Sequence, residues 1–262
     1  MEREKWIDMG KGIAILSVIF GHLSSLDSKN SIYLLVYAFH MPIFWIISGM
    51  LLSGKDYNNV SMLETIKKKA KSIMYPYVIF SLIIVAYNYI GLNLNLVSKS
   101  QFKLVVKNSV YFRGMNCLWF LPVLFVAEIV FIYLIKHRHN IVLWGISFAV
   151  IATLIAIFLS KTDLFKENPM KMYKKYCLIL PKVCFALSFI SLGYTIKEYF
   201  KIIKKYWLLF ALVGVSVSYY IIKVYHKKTD INYCVIHSPK VFWVCAIMIS
   251  ISVLIICKVL EK

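Results

Sequence analysis

The chain has 262 residues, 60% of them hydrophobic, and a formal net charge of +19. Its mean hydropathy of +0.72 lies far above that of an ordinary globular chain and points to a membrane protein. The positive charge does not imply a nucleic-acid partner, because the lysines fall in short segments between apolar runs, as they do in multi-span proteins.

Eight apolar runs are long enough to cross a hydrocarbon core of about 30 Å. They cover 9–26, 31–53, 73–95, 117–135, 141–160, 177–196, 206–225 and 240–257. The prediction is all-α: a polytopic transmembrane helical bundle of about eight spans, forming a single domain over 1–262. The first run has no small-residue cleavage site after it and is expected to be retained. Segment 98–112 carries apolar residues at Phe102, Val105, Val106 and Val110 and reads as a short helix lying at the membrane interface. The six cysteines have no CxxC spacing and read as packing residues, so no metal is expected.

The first span holds Lys11 and His22, with Asp8 one turn before the lysine. Eleven residues at 100° each come to about 1100°, or about 20° past three turns, so both side chains point one way, about 16 Å apart along the axis. Ionisable groups in a bilayer are costly and tend to mark a site. A cation near one mouth and an imidazole deep in the same cavity would hold a long anionic donor with a base at its reactive end. The bland alternatives are a snorkelling lysine paired with Asp8 and a histidine bonded to a neighbouring helix.

On the second span, His40 precedes Pro42, which removes a backbone donor and is expected to kink the helix and free carbonyls. Ser48-Gly49 permits close helix approach. The connection 54–72 ends in Lys67-Lys68-Lys69-Ala70-Lys71. Such a run serves orientation and lipid headgroups, or grips the phosphates of a coenzyme. In the fourth span, Glu128 falls near the middle and should be protonated or paired. It serves either as a structural partner for another helix or as a group that orients a site histidine. Asn116 and Trp119 lie at the mouth of this span.

Loop charges barely orient the chain, with about 15 Lys/Arg on one side and about 14 on the other. The short basic connections 54–72 and 197–205 favour a cytoplasmic N-terminus.

Taken in order, these residues resemble the membrane-bound acyltransferase family 3. The family opens with D-x-x-[RK], ten residues and His, matched by Asp8, Lys11 and His22. Its next phrase, fHmPlFFfiSG, is matched from Phe39-His40-Met41-Pro42 to Ser48-Gly49. A basic cluster before a Pro-Tyr step is matched by Lys68 to Lys71 and Pro76-Tyr77, and a LWFLPxLF phrase by Leu118 to Phe125. The first and closing phrases of span one look most like the fucose 4-O-acetylase-like branch. The likeness covers residues 6–80 and 116–128; after about 140 it is hydropathic, apart from the phrase from Pro181 to Gly193-Tyr194. Lysines stand at Lys11 and in the 67–71 cluster where many members have arginines. Members usually have about ten spans, so the resemblance also implies a C-terminally short chain.

The resemblance implies transfer of an acyl group, expected to be acetyl, from cytosolic acetyl-CoA to a hydroxyl of a cell-surface polysaccharide or its lipid-linked precursor in a bacterial cell membrane. His22 would be the general base, with His40 and Glu128 as further catalytic candidates. Lys11, Lys68 and Lys71 would meet the coenzyme, and Asp8, Ser48, Asn116 and Trp119 would support the site. Acetyl-CoA is the co-substrate, without a metal; the partners are the sugar acceptor and membrane lipids. A flippase for glycan precursors and an inactive truncated acyltransferase are the competing readings.

Overall fold

The structure, a computed structural model, describes residues 4–23, 30–114, 116–161, 178–226, 229–236 and 238–261. A cytoplasmic N-terminus would put the segments 27–30 and 161–176 on the outer side, and these fall almost wholly outside the described residues. The molecule is an all-α polytopic bundle, and the described residues hold eight helical runs long and apolar enough to span a membrane. It divides into two units, Met1–Asp56 with Arg138–Lys262, and Tyr57–His137.

The first unit contains α1 (Lys5–Leu23) and α2 (Ser31–Ser53). Their sequel is α7 (Ile141–Lys161), α8 (Ile179–Ile196), α9 (Trp207–Tyr225) and α10 (Pro239–Leu260). The Asn30 side chain caps α2 by accepting from the Ile32 N–H at 2.8 Å, and the chain leaves the helix at Gly54. α2 runs on as one helix through Pro42. It is the centre of the unit, buried along most of its length from Tyr33 to Leu52. α7 and α9 turn large apolar side chains such as Leu154, Phe158, Leu209 and Phe210 outward, as helices bordering lipid do.

Helix packing here rests on small residues, which let backbones approach where lipid offers no hydrophobic drive. α2 and α8 meet at Gly49 and Gly193: a Cβ on Gly49 would stand 2.0 Å from the Ile190 carbonyl oxygen, and one on Gly193 1.9 Å from that of Ile46. Gly145 meets Ser191 and Gly214 meets Ser252 in the same manner, at 2.6 Å and 2.5 Å from a built Cβ. Phe185, Phe189, Phe242 and Trp243 pack together between α8 and α10, and the Trp243 indole N–H donates to Thr153 Oγ1 at 2.8 Å.

α1 begins at Lys5, four residues before the predicted 9–26 span, because buried Trp6 anchors its first turn. The indole stacks on Phe200 with ring centroids 4.9 Å apart, and the Lys197 and Lys258 ammonium groups sit 4.8 Å and 5.6 Å from it. Lys197 pairs with Glu4, and the Trp6 N–H donates to Glu261 Oε1 at 3.2 Å. Burial works against the charge on Glu261, but hydrogen bonds from Lys258 and Trp6 outweigh it and hold the carboxyl below its ordinary range. The resulting stability is present above the ordinary carboxylate pKa of about 4.3 and is lost as pH falls through the lowered value. Glu261→Gln should therefore melt earlier than wild type at pH 7, and the two should converge as pH falls below the lowered value. A gap that stays constant across a pH series of melting curves would contradict this.

The second unit holds α3 (Met62–Lys69), a π-helical turn at Ala70–Met74, α4 (Tyr75–Asn93), α5 (Lys99–Val110) and α6 (Phe120–Lys136). α5 is the short helix expected over 98–112, closed by a reciprocal Ser98–Gln101 capping box. The 67–71 lysines do not lie in a loop as predicted. Ser61 caps α3 through the Glu64 N–H, and a continuous helical run extends from Met62 to Asn93. Leu, Glu and Lys are good helix formers, so the polar start of this run is as helical as its apolar remainder.

Candidate functional site

Asp8, Lys11 and His22 lie on the unbroken helix α1. Lys11 Nζ pairs with Asp8 Oδ1 at 3.1 Å, and both side chains are partly exposed. His22 stands in the last turn and is exposed, not deep as predicted. α1 is described from Lys5 to Leu23, and His22 lies in the last turn of that range.

α1 and α2 run antiparallel. A Cβ on Gly10 would touch Ile47 at 3.3 Å, and one on Gly21 would touch the Tyr37 ring at 3.3 Å. His22 therefore stands beside the turn of α2 that holds Tyr37, and His40 lies about 7 Å further along the bundle. His40 Nδ1 is 2.7 Å from the Val36 carbonyl oxygen, and its ring meets Tyr37 edge-on at 5.1 Å. Val36 is the residue four before His40, so this bond goes to its own turn and not to the Ala38 carbonyl whose donor Pro42 removes. Ser48 is buried next to Gly49, level with the Asp8–Lys11 turn at the other end of the pair.

Several polar residues near the His22 end did not stand out in the sequence. The segment after α9 forms a two-residue antiparallel ladder, β1 (Thr229–Asp230) with β2 (Val235–Ile236), around a tight turn. Asp230 Oδ1 caps this turn by accepting from the Asn232 N–H at 3.0 Å. Lys182, only 9% exposed in the first turn of α8, donates to Asn232 Oδ1 at 2.7 Å. β1 packs against α2, with Thr229 in a small pocket beside Leu34 and Ala38, and the Tyr33 and Tyr37 rings on that stretch of α2 lie 4.5 Å apart. Lys182 is an ionisable group inside an apolar run, and that alone was a usable sequence signal. The Cys234 thiol, buried beneath this turn, is pushed up to about 12 by burial against the pull of Lys182, so it stays protonated and is no acyl-carrying nucleophile.

In the second unit, buried Glu128 pairs with Lys69, with Nζ 2.5 Å from Oε2. The partner of the carboxylate there is thus a lysine of the 67–71 run. Lys68 is exposed and pairs with Glu64 at 2.7 Å, and Lys71 is exposed. Trp119 is buried and meets Phe120 edge-on, and Asn116 opens a short 3-10 turn before α6. Lys69→Ala should destabilise the protein strongly, because it leaves a carboxylate buried without its cation, whereas Lys69→Leu with Glu128→Leu should recover most of the loss. Melting temperatures of the single and double variants check this; equal losses in both would show that the pair is not what the site depends on.

Among the described residues no group of three or more His, Cys, Asp and Glu is placed to hold a metal ion. No curated protein and no solved structure matches the chain. A family model described as an acyltransferase domain matches residues 4–260, running through both units. A polytopic bundle matched over nearly its whole length by that model is a multi-pass membrane acyltransferase, and the chain belongs to acyltransferase family 3.

Proposed function

We propose that the protein transfers an acetyl group from acetyl-CoA to a sugar hydroxyl of a surface polysaccharide or its lipid-linked precursor, with His22 as general base and the N-terminus in the cytoplasm of a bacterial cell. The observation that carries this reading is the single unbroken helix α1, which offers a cation at Lys11 and an imidazole at His22 about 16 Å apart on one side. The pyrophosphate of the donor meets Lys11, and its extended pantetheine arm brings the thioester towards His22. The imidazole takes the proton of the acceptor hydroxyl as the oxygen attacks the thioester carbonyl. The tetrahedral intermediate then expels the coenzyme thiolate, which recovers the proton from His22. The product is an O-acetyl ester and free coenzyme A.

Incubating the purified protein with radiolabelled acetyl-CoA and candidate glycans tests the reaction directly. Label transferred to glycan supports it; labelled donor returned intact in every reaction overturns it. Lys11→Ala should raise the KM for acetyl-CoA severalfold and leave that for the acceptor nearly unchanged. Lys11→Arg should keep most of the activity, since it retains the charge and adds a bidentate fork. An unaltered KM for acetyl-CoA in Lys11→Ala would remove this residue from the donor path.

A further inference from the structure

We infer that the turn between β1 and β2 is the recognition element for the sugar acceptor, with Asp230 and Tyr233 as its specificity-determining residues. This rests on the acyl-transfer reading above. Sugars are recognised by carboxylate and amide groups that bond their hydroxyls and by aromatic rings that cover their C–H faces. The turn supplies both kinds of group. Asp230 is held in place by its own cap to the Asn232 N–H, and the Tyr233 ring is 54% exposed at the close of the same turn. β1 packs against α2, Thr229 shares a small pocket with Leu34 and Ala38 on either side of Tyr37, and the Tyr37 ring faces Gly21, the residue before His22. The turn therefore lies at the His22 end of the first unit, remote from Lys11. Donor and acceptor would approach α1 from opposite ends.

Lys182 explains why this turn is a defined element and not a loose connection. A cation in the first turn of a helix opposes the helix dipole, and burying it adds a desolvation cost. Its bond to Asn232 spans 50 residues and ties the turn to α8. Lys182 is thus a positioning residue, acting on the acceptor only through the turn.

The test uses the full chain, solubilised in detergent, with p-nitrophenyl α-fucoside as the acceptor probe. Asp230→Asn keeps an oxygen able to cap the Asn232 N–H, so it removes the charge without undoing the turn. Tyr233→Ala removes the ring. Each variant should raise the KM for the fucoside at least tenfold, with the KM for acetyl-CoA within twofold of wild type. Saturation-transfer NMR of the fucoside on wild type should give a binding signal, and that signal should fall in both variants. Lys182→Met should raise the fucoside KM as well, with recovery in Lys182→Arg, which keeps a donor for Asn232. Transfer with unchanged fucoside KM in both turn variants would overturn this inference and leave the acetyltransferase reading standing. A binding signal in wild type that vanishes in the variants, without acetyl transfer by wild type, would support the sugar site and overturn the acyl-transfer reading. Neither binding nor transfer in wild type would overturn both.

Discussion

His22→Ala is expected to reduce acetyl transfer by roughly 10²–10⁴, the usual cost of losing a general base. The loss should fall on kcat, with the KM for acetyl-CoA little changed, because Lys11 stands about 16 Å away along the same helix. Position decides how clean the experiment is. The His22 side chain is exposed in the last turn of α1, and the close packing there belongs to Gly21. Abundance and melting temperature, measured beside activity, separate loss of the base from loss of the fold. Activity within a few-fold of wild type would eliminate His22 as the base. His40 would become the next candidate, although its Nδ1 is already engaged by the Val36 carbonyl.

The second large effect concerns the crossing of α2 and α8. Gly193→Ala should prevent the helices from reaching their present separation, since the new Cβ would lie 1.9 Å from the Ile46 carbonyl oxygen. Gly49→Ala has the same problem against Ile190. Overpacking typically costs about 1–3 kcal/mol when side chains can adjust. Here the opposing atoms are backbone, so the loss should exceed that range and the purified variant should aggregate or melt far earlier than wild type. Gly12→Ala is the control, because a Cβ there meets nothing within 4 Å. Equal melting temperatures for all three variants would mean that α2 and α8 do not pack this way.

The span pattern was legible in the sequence because it depends on hydropathy alone, and each of the eight runs appears where the apolar residues predicted it. Helix limits were less legible. Trp6 is amphipathic and follows charged residues, yet its stacking on Phe200 draws the start of α1 back to Lys5. The lysines at 67–71 look like a loop by hydropathy and are helical by propensity and capping. The site divides likewise. Asp8, Lys11 and His22 could be placed on one helix by counting, but the turn at 229–236 could not be assigned to the His22 end. That placement depends on the packing of β1 against α2 and on the bond from Lys182 to Asn232, both between residues far apart in the chain, and no local period records them.

The packing of Trp6 has a consequence for biogenesis. Its backbone N–H is bonded to Glu261, a separation of 255 residues, and Gly10 in the same helix faces Leu254. At about 5–20 residues per second, the first helix is made roughly 13–50 s before the residues that complete its packing. Through that interval it can rest on α2, which follows it directly, but the pocket for its indole does not yet exist. α1 is thus made well before α10 and is locked only when α10 arrives.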